Sequence, residues 1–285
     1  MVGGTVVMLR EFDASELLRT VERERVTFIP MVPTMFEMLL EVADKESFDL
    51  GSLRRLMSAG SPLLTATKER LLEFLPGVEL FELYGSTEAG FFSILKPQDQ
   101  LRKTRSAGLP YFGCELRILD PSGRDVPTGE VGQIYKRGTG LGARYYKNPE
   151  ATEEQFHDEW ITSGDLGRFD DEGYLYVVDR AKDMIISGGL NVYPTEIEDV
   201  LLTHPDVVEV AVIGVPDAKW GEIVTAVVVL RDGEAAPDTE LDALCRSRLA
   251  AYKRPRRYVA VDQLPKNASG KLLKRELRHQ PAGCT

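Results

Sequence analysis

The sequence predicts an α/β protein whose chain falls into three parts. Amphipathic helical segments alternate with short apolar strands over about 1–105, which is typical of a mostly parallel sheet. Short β-rich runs punctuated by Gly, Pro and Asp fill about 106–181 and predict a small antiparallel barrel or sheet. The pattern changes again near Lys182. We therefore place a domain boundary there and expect a compact α+β domain over 182–285.

The first part is predicted to contain three helices and three strands in alternation. We expect helices over 13–24, 34–42 and 65–75, and strands over 26–29, 53–57 and 78–83. Asp13 or Ser15 can cap the first helix, because a short polar side chain accepts a hydrogen bond from a free helical N–H. Pro30 is expected to end the first strand. Pro33 is expected to begin the second helix, where a missing N–H is tolerated.

The later parts have their own predicted elements. The runs CELRILD, GQIYKR and GYLYVVD predict strands of the β-rich part. In the last part we expect helices over 194–202, 241–249 and 271–278, and strands over 207–215, 223–230 and 258–261. The run RDGEAAPDT between them is a predicted loop.

Composition and charge exclude several classes of protein. The formal net charge of the 285 residues is −10, which disfavours nonspecific nucleic-acid binding. No apolar run approaches the roughly 20 residues of a membrane-spanning helix, and the N-terminus lacks the pattern of a signal peptide. Cys114, Cys245 and Cys284 are widely separated in the sequence. They suit reduced thiols rather than a disulfide framework, so we expect a cytoplasmic protein.

The segment 84–90, YGSTEAG, follows a predicted strand and carries three kinds of binding group. The carboxyl end of a strand is where an α/β sheet binds ligands. Tyr84 supplies a flat ring, Thr87 a hydroxyl and Glu88 a carboxylate, which suit a nucleobase, a phosphate oxygen and a hard cation. The alternative interpretation is an ordinary turn from a strand into a helix.

A second candidate segment is WITSGD, at 160–165, followed by Asp179 and Arg180. Asp165 stands at a glycine turn, where its carboxylate can accept hydrogen bonds from two vicinal hydroxyls, as in ribose recognition. Asp179 and Arg180 can equally form a surface ion pair, so this segment by itself favours neither interpretation.

Two further segments combine glycine with a charged or open position. Gly188 and Gly189 would let a ligand or another chain approach the backbone closely, or would simply form a hairpin turn. Lys271, in the run PKNASGK, can act as a mobile cation that reaches into a cleft, or can be an ordinary solvated lysine. A basic cluster, KRPRR at 253–257, is either a solvated face or an anion site.

Taken together, these segments resemble the AMP-forming acyl-CoA synthetase family, which also includes peptide-synthetase adenylation domains and beetle luciferases. The matching runs are SAGSPL (58–63), YGSTEAG (84–90), GEVGQIYKRG (129–138), WITSGD (160–165), DRAKDMIISGGLNVYPTEIE (179–198) and PKNASGK (265–271). The form ISGG-N-YP-EIE is most similar to aryl- and fatty-acyl-CoA ligases. The resemblance implies that 1–181 is the C-terminal part of a large adenylation domain, with its small β-barrel. It also implies that 182–285 is a mobile C-terminal domain.

The resemblance implies a reaction in two steps. A carboxylic acid attacks ATP to give acyl-AMP and pyrophosphate, and the thiol of coenzyme A then displaces AMP. The implied catalytic residues are Lys271, Thr87 and Glu88. Lys271 would bridge the acid and the phosphate, since phosphoryl transfer needs positive charge near the developing oxyanions. Thr87 would contact the α-phosphate, and Glu88 would hold Mg²⁺.

The resemblance also implies which positions bind nucleotide and coenzyme A. Ser58, Ala59 and Gly60 would line the adenine and acyl pockets, and Tyr84 and Gly85 would lie near adenine. The ribose hydroxyls would be held by Asp165 and Arg180. In the second step the chain would pivot at Lys182, and the pantetheine arm would pass Gly188 and Gly189. The remaining implied contacts to coenzyme A, which would make the basic cluster an anion site, are Trp220, Tyr252, Arg254 and Arg256.

One family motif is not found: a Ser/Thr/Gly-rich phosphate loop ending in Pro-Lys-Gly. The glycine-rich run 137–144 lacks Ser and Lys and is interpreted as a barrel turn. We therefore expect this chain to be weak or inactive alone, with the N-terminal half or a second copy as candidate partners. The alternatives to an acid–CoA ligase are a noncatalytic AMP- or CoA-binding module and an adenylation domain that loads a carrier protein.

Overall fold

The computed structural model describes residues 3–140, 142, 144–231, 238–267 and 272–279. The chain divides into two compact units. The first unit consists of Met1–Ser163 and Gly167–Val177, and the second consists of Gly164–Leu166 and Val178–Thr285. The predicted mixture of α/β and α+β architecture is confirmed, because both units combine helices with sheets.

The first unit begins with helices alternating with the strands of a five-stranded sheet. Its elements are α1 (Ala14–Glu24), β1 (Phe28–Met31), α2 (Pro33–Leu40), β2 (Arg55–Ala59), α3 (Thr65–Phe74), β3 (Glu79–Ser86), β4 (Gly90–Leu95) and β5 (Leu109–Pro110). The order is β1-β2-β3-β4-β5. Strands β1 to β3 are parallel, and β4 and β5 are antiparallel to their neighbours.

The ends of the first two elements show how local chemistry defines them. Asp13 caps α1, because its Oδ1 accepts a hydrogen bond of 2.7 Å from the backbone N–H of Glu16. The prediction that Pro30 ends the first strand is wrong, since β1 continues to Met31. β1 lies at one edge of the sheet, and an edge strand tolerates a proline because its outer side needs no N–H donor. Pro33 begins α2, as predicted.

The core of this α/β part lies between the helices and one face of the sheet. Phe36 of α2, Leu71 of α3 and Leu80 of β3 each expose 1% or less of their surface. They belong to one apolar cluster that includes residues of all three helices. Burying a side chain of this size contributes about 1.5–3 kcal/mol. The cluster therefore anchors the strands whose carboxyl ends carry the candidate motifs.

The β-rich part forms a second five-stranded sheet. Its elements are β6 (Cys114–Leu119), β7 (Gly132–Gly138), α4 (Pro149–Gln155), β8 (Phe156–His157), β9 (Trp160–Phe169) and β10 (Leu175–Arg180). The order is β10-β9-β7-β6, with β8 paired to β9. The three predicted strand runs correspond to β6, β7 and β10. Ile134, Ile161 and Leu175 are fully buried and form the centre of its core.

The second unit contains a third sheet and three helices among its described residues. Its remaining elements are β11 (Ile185–Ser187), β12 (Leu190–Val192), α5 (Pro194–Leu201), β13 (Val207–Asp217), β14 (Gly221–Leu230), α6 (Asp238–Arg248), β15 (Arg257–Ala260) and α7 (Lys274–His279). The order is β12-β11-β14-β13, with β15 parallel to β14. Ile197, Val212 and Cys245 are fully buried in its core.

The last helix begins later than predicted. α7 starts at Lys274 rather than at 271. Leu272 instead forms an antiparallel bridge with Lys266, and the N–H of Leu273 donates to the carbonyl oxygen of Pro265 at 2.8 Å. This extended pairing is incompatible with a helical conformation at 272–273.

Composition led to two predictions, one about membrane-spanning helices and one about cysteines. None of the helices in the described residues has the length and apolar character needed to span a membrane. Cys114 and Cys245 are free thiols, and Cys284 lies outside the described residues.

Candidate functional site

Two of the predicted motifs lie side by side at the carboxyl ends of β2 and β3. In the parallel register, Ser58 pairs with Glu82 and Ala59 with Leu83. β2 runs two residues further than predicted, so Ser58 and Ala59 are its last residues. Gly60 has a φ of +94°, a conformation that favours glycine, and there the chain leaves the strand. The sheet therefore brings 58–60 next to the start of the 84–90 motif.

The motif YGSTEAG forms a hairpin turn. β3 continues through Ser86 and turns back into β4, so the alternative of a turn from strand into helix is wrong. A Cβ atom on Gly85 would lie 2.3 Å from the carbonyl oxygen of Gly90, which only glycine permits. Thr87 is exposed and Glu88 half-buried at the tip. The hairpin thus presents a hydroxyl and a carboxylate on a closely packed backbone.

Hydrogen bonds to backbone carbonyl oxygens hold this turn in place. The N–H of Gly142 donates to the carbonyl oxygen of Glu88 at 2.7 Å. The ammonium of Lys136 donates to the carbonyl oxygen of Ala89 and, at 2.8 Å, to that of Thr139. Lys136 is fully buried, and this burial lowers the pKa of its ammonium, although the Cys114 thiol opposes the shift.

Sequence reasoning missed Lys136. The signal was the alternation along β7, in which Gly132, Ile134 and Lys136 occupy the buried positions. A lysine at an inward position of a strand needs carbonyl or carboxylate partners, because an unpaired buried charge is costly. The turn 87–89 and Thr139 supply them.

The ring of Tyr84 is fixed by two contacts. Its hydroxyl is 2.8 Å from the Oγ of Ser163, and its centroid is 5.1 Å from that of Phe92. On β2, the Oγ of Ser58 is buried, with no hydrogen-bond partner among the described residues. A buried hydroxyl without a partner is uncommon, because leaving it unsatisfied costs about 1–3 kcal/mol. This part of the first unit therefore offers an oriented ring and one available hydroxyl.

In the second unit, Asp165 and Arg180 form an ion pair. The Nε of Arg180 is 3.4 Å from the Oδ1 of Asp165, whose side chain is 11% exposed. Asp179 has a different role: it accepts hydrogen bonds from the N–H groups of Arg180 at 2.7 Å and Thr195 at 2.9 Å. The carboxylate of Asp179 thus caps the first turn of α5. The alternative of an Asp179–Arg180 surface ion pair is wrong.

Gly188 and Gly189 form the two-residue turn between β11 and β12. Their φ angles are +59° and +79°, which matches the tight turns that glycine favours in hairpins. The N–H of Gly188 donates to the carbonyl oxygen of Trp220 at 2.8 Å, and a Cβ atom there would lie 3.0 Å from the Trp220 ring. A Cβ atom on Gly189 would meet no atom within 4 Å. One glycine is therefore packed and the other faces open space.

The basic cluster 253–257 is divided between structural and available side chains. Lys253 binds both carboxylate oxygens of Glu196, at 2.6 and 2.7 Å. Arg254 donates to carbonyl oxygens at the end of α6, namely Leu249 at 3.0 Å and Arg246 at 3.3 Å. Arg256 stacks over the ring of Trp220 at 4.2 Å, and Tyr252 beside the cluster is 43% exposed. Trp220 and Arg256 therefore form the surface most suited to a planar anionic ligand.

The candidate metal ligand among the described residues is a single carboxylate, that of Glu88. The described residues contain no group of three or more His, Cys, Asp or Glu side chains that could hold a metal ion. A single half-buried carboxylate such as Glu88 fits Mg²⁺ that arrives with a nucleotide, since this ion uses one or two carboxylates together with substrate phosphates. Lys271, the predicted catalytic cation, lies outside the described residues.

Comparison with known protein families identifies the class of protein that this fold and these motifs define. Residues 1–146 match the family of AMP-binding enzymes, and residues 196–271 match the C-terminal domain of AMP-binding enzymes. The chain belongs to this family of AMP-binding enzymes, as its motifs predicted.

The similar curated proteins are CoA ligases. The chain is 44% identical over 279 residues to a feruloyl-CoA synthase from Amycolatopsis sp., covering 98% of this chain and 56% of that protein. It is 40% identical over 277 residues to a 2-succinylbenzoate–CoA ligase from Bacillus licheniformis, covering 96% and 56%. This chain thus spans about half the length of the curated relatives it matches.

Solved structures share the fold. An amide bond synthetase from Marinactinospora thermotolerans superposes with a TM-score of 0.89 at 37% identity, covering 97% of this chain and 56% of that one. The o-succinylbenzoate CoA synthetase from Bacillus subtilis, in complex with its acyl-adenylate intermediate, has a TM-score of 0.86 at 38% identity, covering 96% and 55%.

Proposed function

We propose that this chain takes part in the ATP-dependent activation of a carboxylic acid to acyl-AMP and in its transfer to coenzyme A. The observation that carries the proposal is the parallel register of β2 and β3, which brings the motif 58–60 beside the hairpin 84–90. Both motifs belong to the family match, and a similar solved structure holds an acyl-adenylate.

In the proposed first step, an oxygen of the acid attacks the α-phosphorus of ATP and pyrophosphate leaves. The adenine and acyl pockets would be lined by Ser58, Ala59 and Gly60. The fixed ring of Tyr84 would stack on adenine next to Gly85. The buried Oγ of Ser58 supports this placement, because a ligand atom would satisfy it. Thr87 would donate to the α-phosphate.

Charged side chains would contribute to the same step. Asp165 would accept hydrogen bonds from the ribose hydroxyls, and Arg180, which is already 3.4 Å from that carboxylate, would hold it in orientation. Glu88 would bind Mg²⁺, which when present supplies positive charge at the phosphates. Lys271 would neutralise charge between the acid and the α-phosphate, a role that its place in the motif implies.

In the proposed second step, the C-terminal domain would turn at Lys182 and present another surface. The open space at Gly189 would admit the pantetheine arm, and the stacked pair of Trp220 and Arg256 would bind the nucleotide end of coenzyme A. The resemblance implies that Tyr252 and Arg254 would also contact coenzyme A. Because Arg254 already caps α6, we expect Trp220 and Arg256 to contribute more to binding.

A carboxylic-acid panel in an ATP–pyrophosphate exchange assay tests the proposal, with the chain supplied together with the N-terminal half proposed as its partner and with Lys271→Ala as the variant. We expect the variant to lose acid-dependent exchange by about a hundredfold, because a charge-assisted contact in the transition state contributes about 1.5–3 kcal/mol. Thioester formation from supplied acyl-AMP should be retained. Lys266→Ala is the matched control, since Lys266 lies in the same segment and pairs with Glu209 at 2.6 Å. Equal loss of both half-reactions would contradict the role of Lys271.

A second candidate function differs in the group that accepts the acyl chain. The similarity to an amide bond synthetase makes an amine the alternative acceptor to the coenzyme A thiol. Supplying acyl-AMP with coenzyme A, with an amine or with a carrier protein separates these acceptors. Calorimetry with AMP and coenzyme A, beside a turnover assay, separates all of them from a noncatalytic binding module, which would bind both ligands without turnover.

A further inference from the structure

The helix α7 is attached to the rest of the second unit by two cationic side chains one helical turn apart. The Nζ of Lys274 lies 2.7 Å from the Oε1 of Glu198, which also accepts the N–H of Val212 at 2.7 Å. Burial raises the pKa of Glu198, and Lys274 opposes that shift. Leu277 is 7% exposed and packs into the apolar cluster next to β13 and β14. These contacts hold α7 against the rest of the second unit.

The second cationic side chain, Arg278, contacts both sides of one peptide bond. Its Nη1 donates to the carbonyl oxygen of Lys182 at 3.3 Å, and its Nη2 donates to the Oδ1 of Asp183 at 3.1 Å. The side chains of Arg278 and Asp183 are 29% and 16% exposed, so the pair is partly shielded from water. We refer to these two contacts as the pivot clamp.

The pivot clamp has a geometric consequence for the segment around Lys182. The two soft backbone dihedrals of Lys182 precede its carbonyl oxygen, and the peptide unit that follows is planar and rigid. Arg278 holds that oxygen and the next side chain, so the whole peptide unit is attached to α7. Any change of direction at this point of the chain is then confined to the dihedrals of Lys182 and of the residues before it.

We propose that Arg278 is a positioning residue that sets the C-terminal limit of the pivot at Lys182. The proposal rests on the proposed two-step function, in which the C-terminal domain turns at that residue. The planar guanidinium suits this task, because its fork of donors can bind a carbonyl oxygen and a carboxylate at the same time. Without the pivot clamp, the rotation of the C-terminal domain would be distributed over the backbone dihedrals of several residues after Lys182. The orientation that this domain adopts for the second step would then be less well defined.

Amide hydrogen exchange tests the clamp without any need for activity. The N–H of Met184 donates to the carbonyl oxygen of Arg180 at 3.1 Å and closes the turn at the pivot. In Arg278→Gln we expect exchange in the peptide 182–186 to be roughly fivefold faster, since a partly exposed contact to a charged group is lost. Arg275→Gln, an exposed position on the same helix, is the matched control. Equal exchange in the two variants would overturn the proposal.

The partner residue provides a second measurement. Asp183→Ala should give a smaller rise in exchange, since the contact of Arg278 with the carbonyl oxygen of Lys182 remains. The double variant Asp183→Ala, Arg278→Gln should exchange no faster than Arg278→Gln, because that change already removes both contacts. Additive effects of the two changes would show that they act independently and would contradict the clamp.

The two half-reactions distinguish a role in the pivot from a general structural role. We expect Arg278→Gln to slow thioester formation about fivefold while pyrophosphate exchange stays within about twofold, and Arg278→Lys to recover part of the loss, since one ammonium cannot bind both acceptors equally well. Equal slowing of both half-reactions would contradict the positioning role. If neither reaction occurs when the unmodified chain is supplied with the N-terminal half proposed as its partner, the proposed function fails, and hydrogen exchange alone then decides whether the clamp exists.

Discussion

Two hairpin turns, one in each unit, carry candidate site residues, and they differ in how tightly they are packed. The turn 87–89 between β3 and β4 is enclosed: Cβ atoms on Gly85 and Gly90 would lie 2.3 and 3.0 Å from backbone oxygen atoms. The turn of Gly188 and Gly189 between β11 and β12 is packed against Trp220 on one side only. A Cβ atom on Gly189 would meet no atom within 4 Å.

This difference matches the roles proposed for the two turns. A turn that orients a hydroxyl and a carboxylate toward phosphates needs a backbone that cannot shift, since misplaced groups lose much of their effect on rate. A turn that borders a passage needs the reverse, a glycine whose missing side chain leaves space. In the first turn, glycine thus permits close backbone packing. In the second turn, Gly189 leaves space open. Three substitutions test this comparison through their effects on stability and on each half-reaction.

Gly85→Ala should have the largest effect on stability. The added Cβ would lie 2.3 Å from the carbonyl oxygen of Gly90, so the hairpin backbone must move. We expect the free energy of unfolding of the first unit to fall by about 3 kcal/mol. Urea unfolding followed by Trp160 fluorescence, in a Trp220→Phe background, measures it. Gly4→Ala, where a Cβ meets no atom within 4 Å, is the control, and equal stability of the two variants would refute the packed turn.

Lys136→Met should have the next largest effect. Methionine fills nearly the same volume but removes the donor to the carbonyl oxygens of Ala89 and Thr139. Leaving these oxygens buried without a partner should cost about 2 kcal/mol of unfolding free energy. The same urea measurement applies, with the exposed Lys96→Met as control. A variant as stable as the control would show that Lys136 does not hold the turn.

Gly189→Leu should have the smallest effect on stability and the most selective effect on activity. Its φ of +79° makes any side chain strained, which costs about 1–2 kcal/mol. Gly123→Leu is the matched control, with a φ of +80° and no atom within 4 Å of its Cβ. We expect both to lose similar stability, whereas only Gly189→Leu should slow thioester formation from acyl-AMP. Slowing of pyrophosphate exchange to the same extent would contradict a passage at this turn.

Much of the fold and of the candidate site could be predicted, because the signals are local. Asp13 before an amphipathic run and Pro33 before another marked helix starts, and both are observed. The motif runs identified the family because they are contiguous in sequence. The prediction failed at Pro30, where an edge position in the sheet made a proline acceptable. It left the role of Asp179 open, and the structure shows that Asp179 caps α5.

The sequence by itself determined the class of protein, the alternation of elements and the positions of the motifs. Only the tertiary structure decided that β3 turns back into β4, that Lys136 supports the hairpin from 47 residues away, and that Arg278 holds a peptide unit 96 residues before it. The physical reason is the same in each case. Helix and turn signals depend on neighbours within a few residues, whereas the pairing of a strand and the partners of a shielded cation depend on which backbone groups the fold brings together.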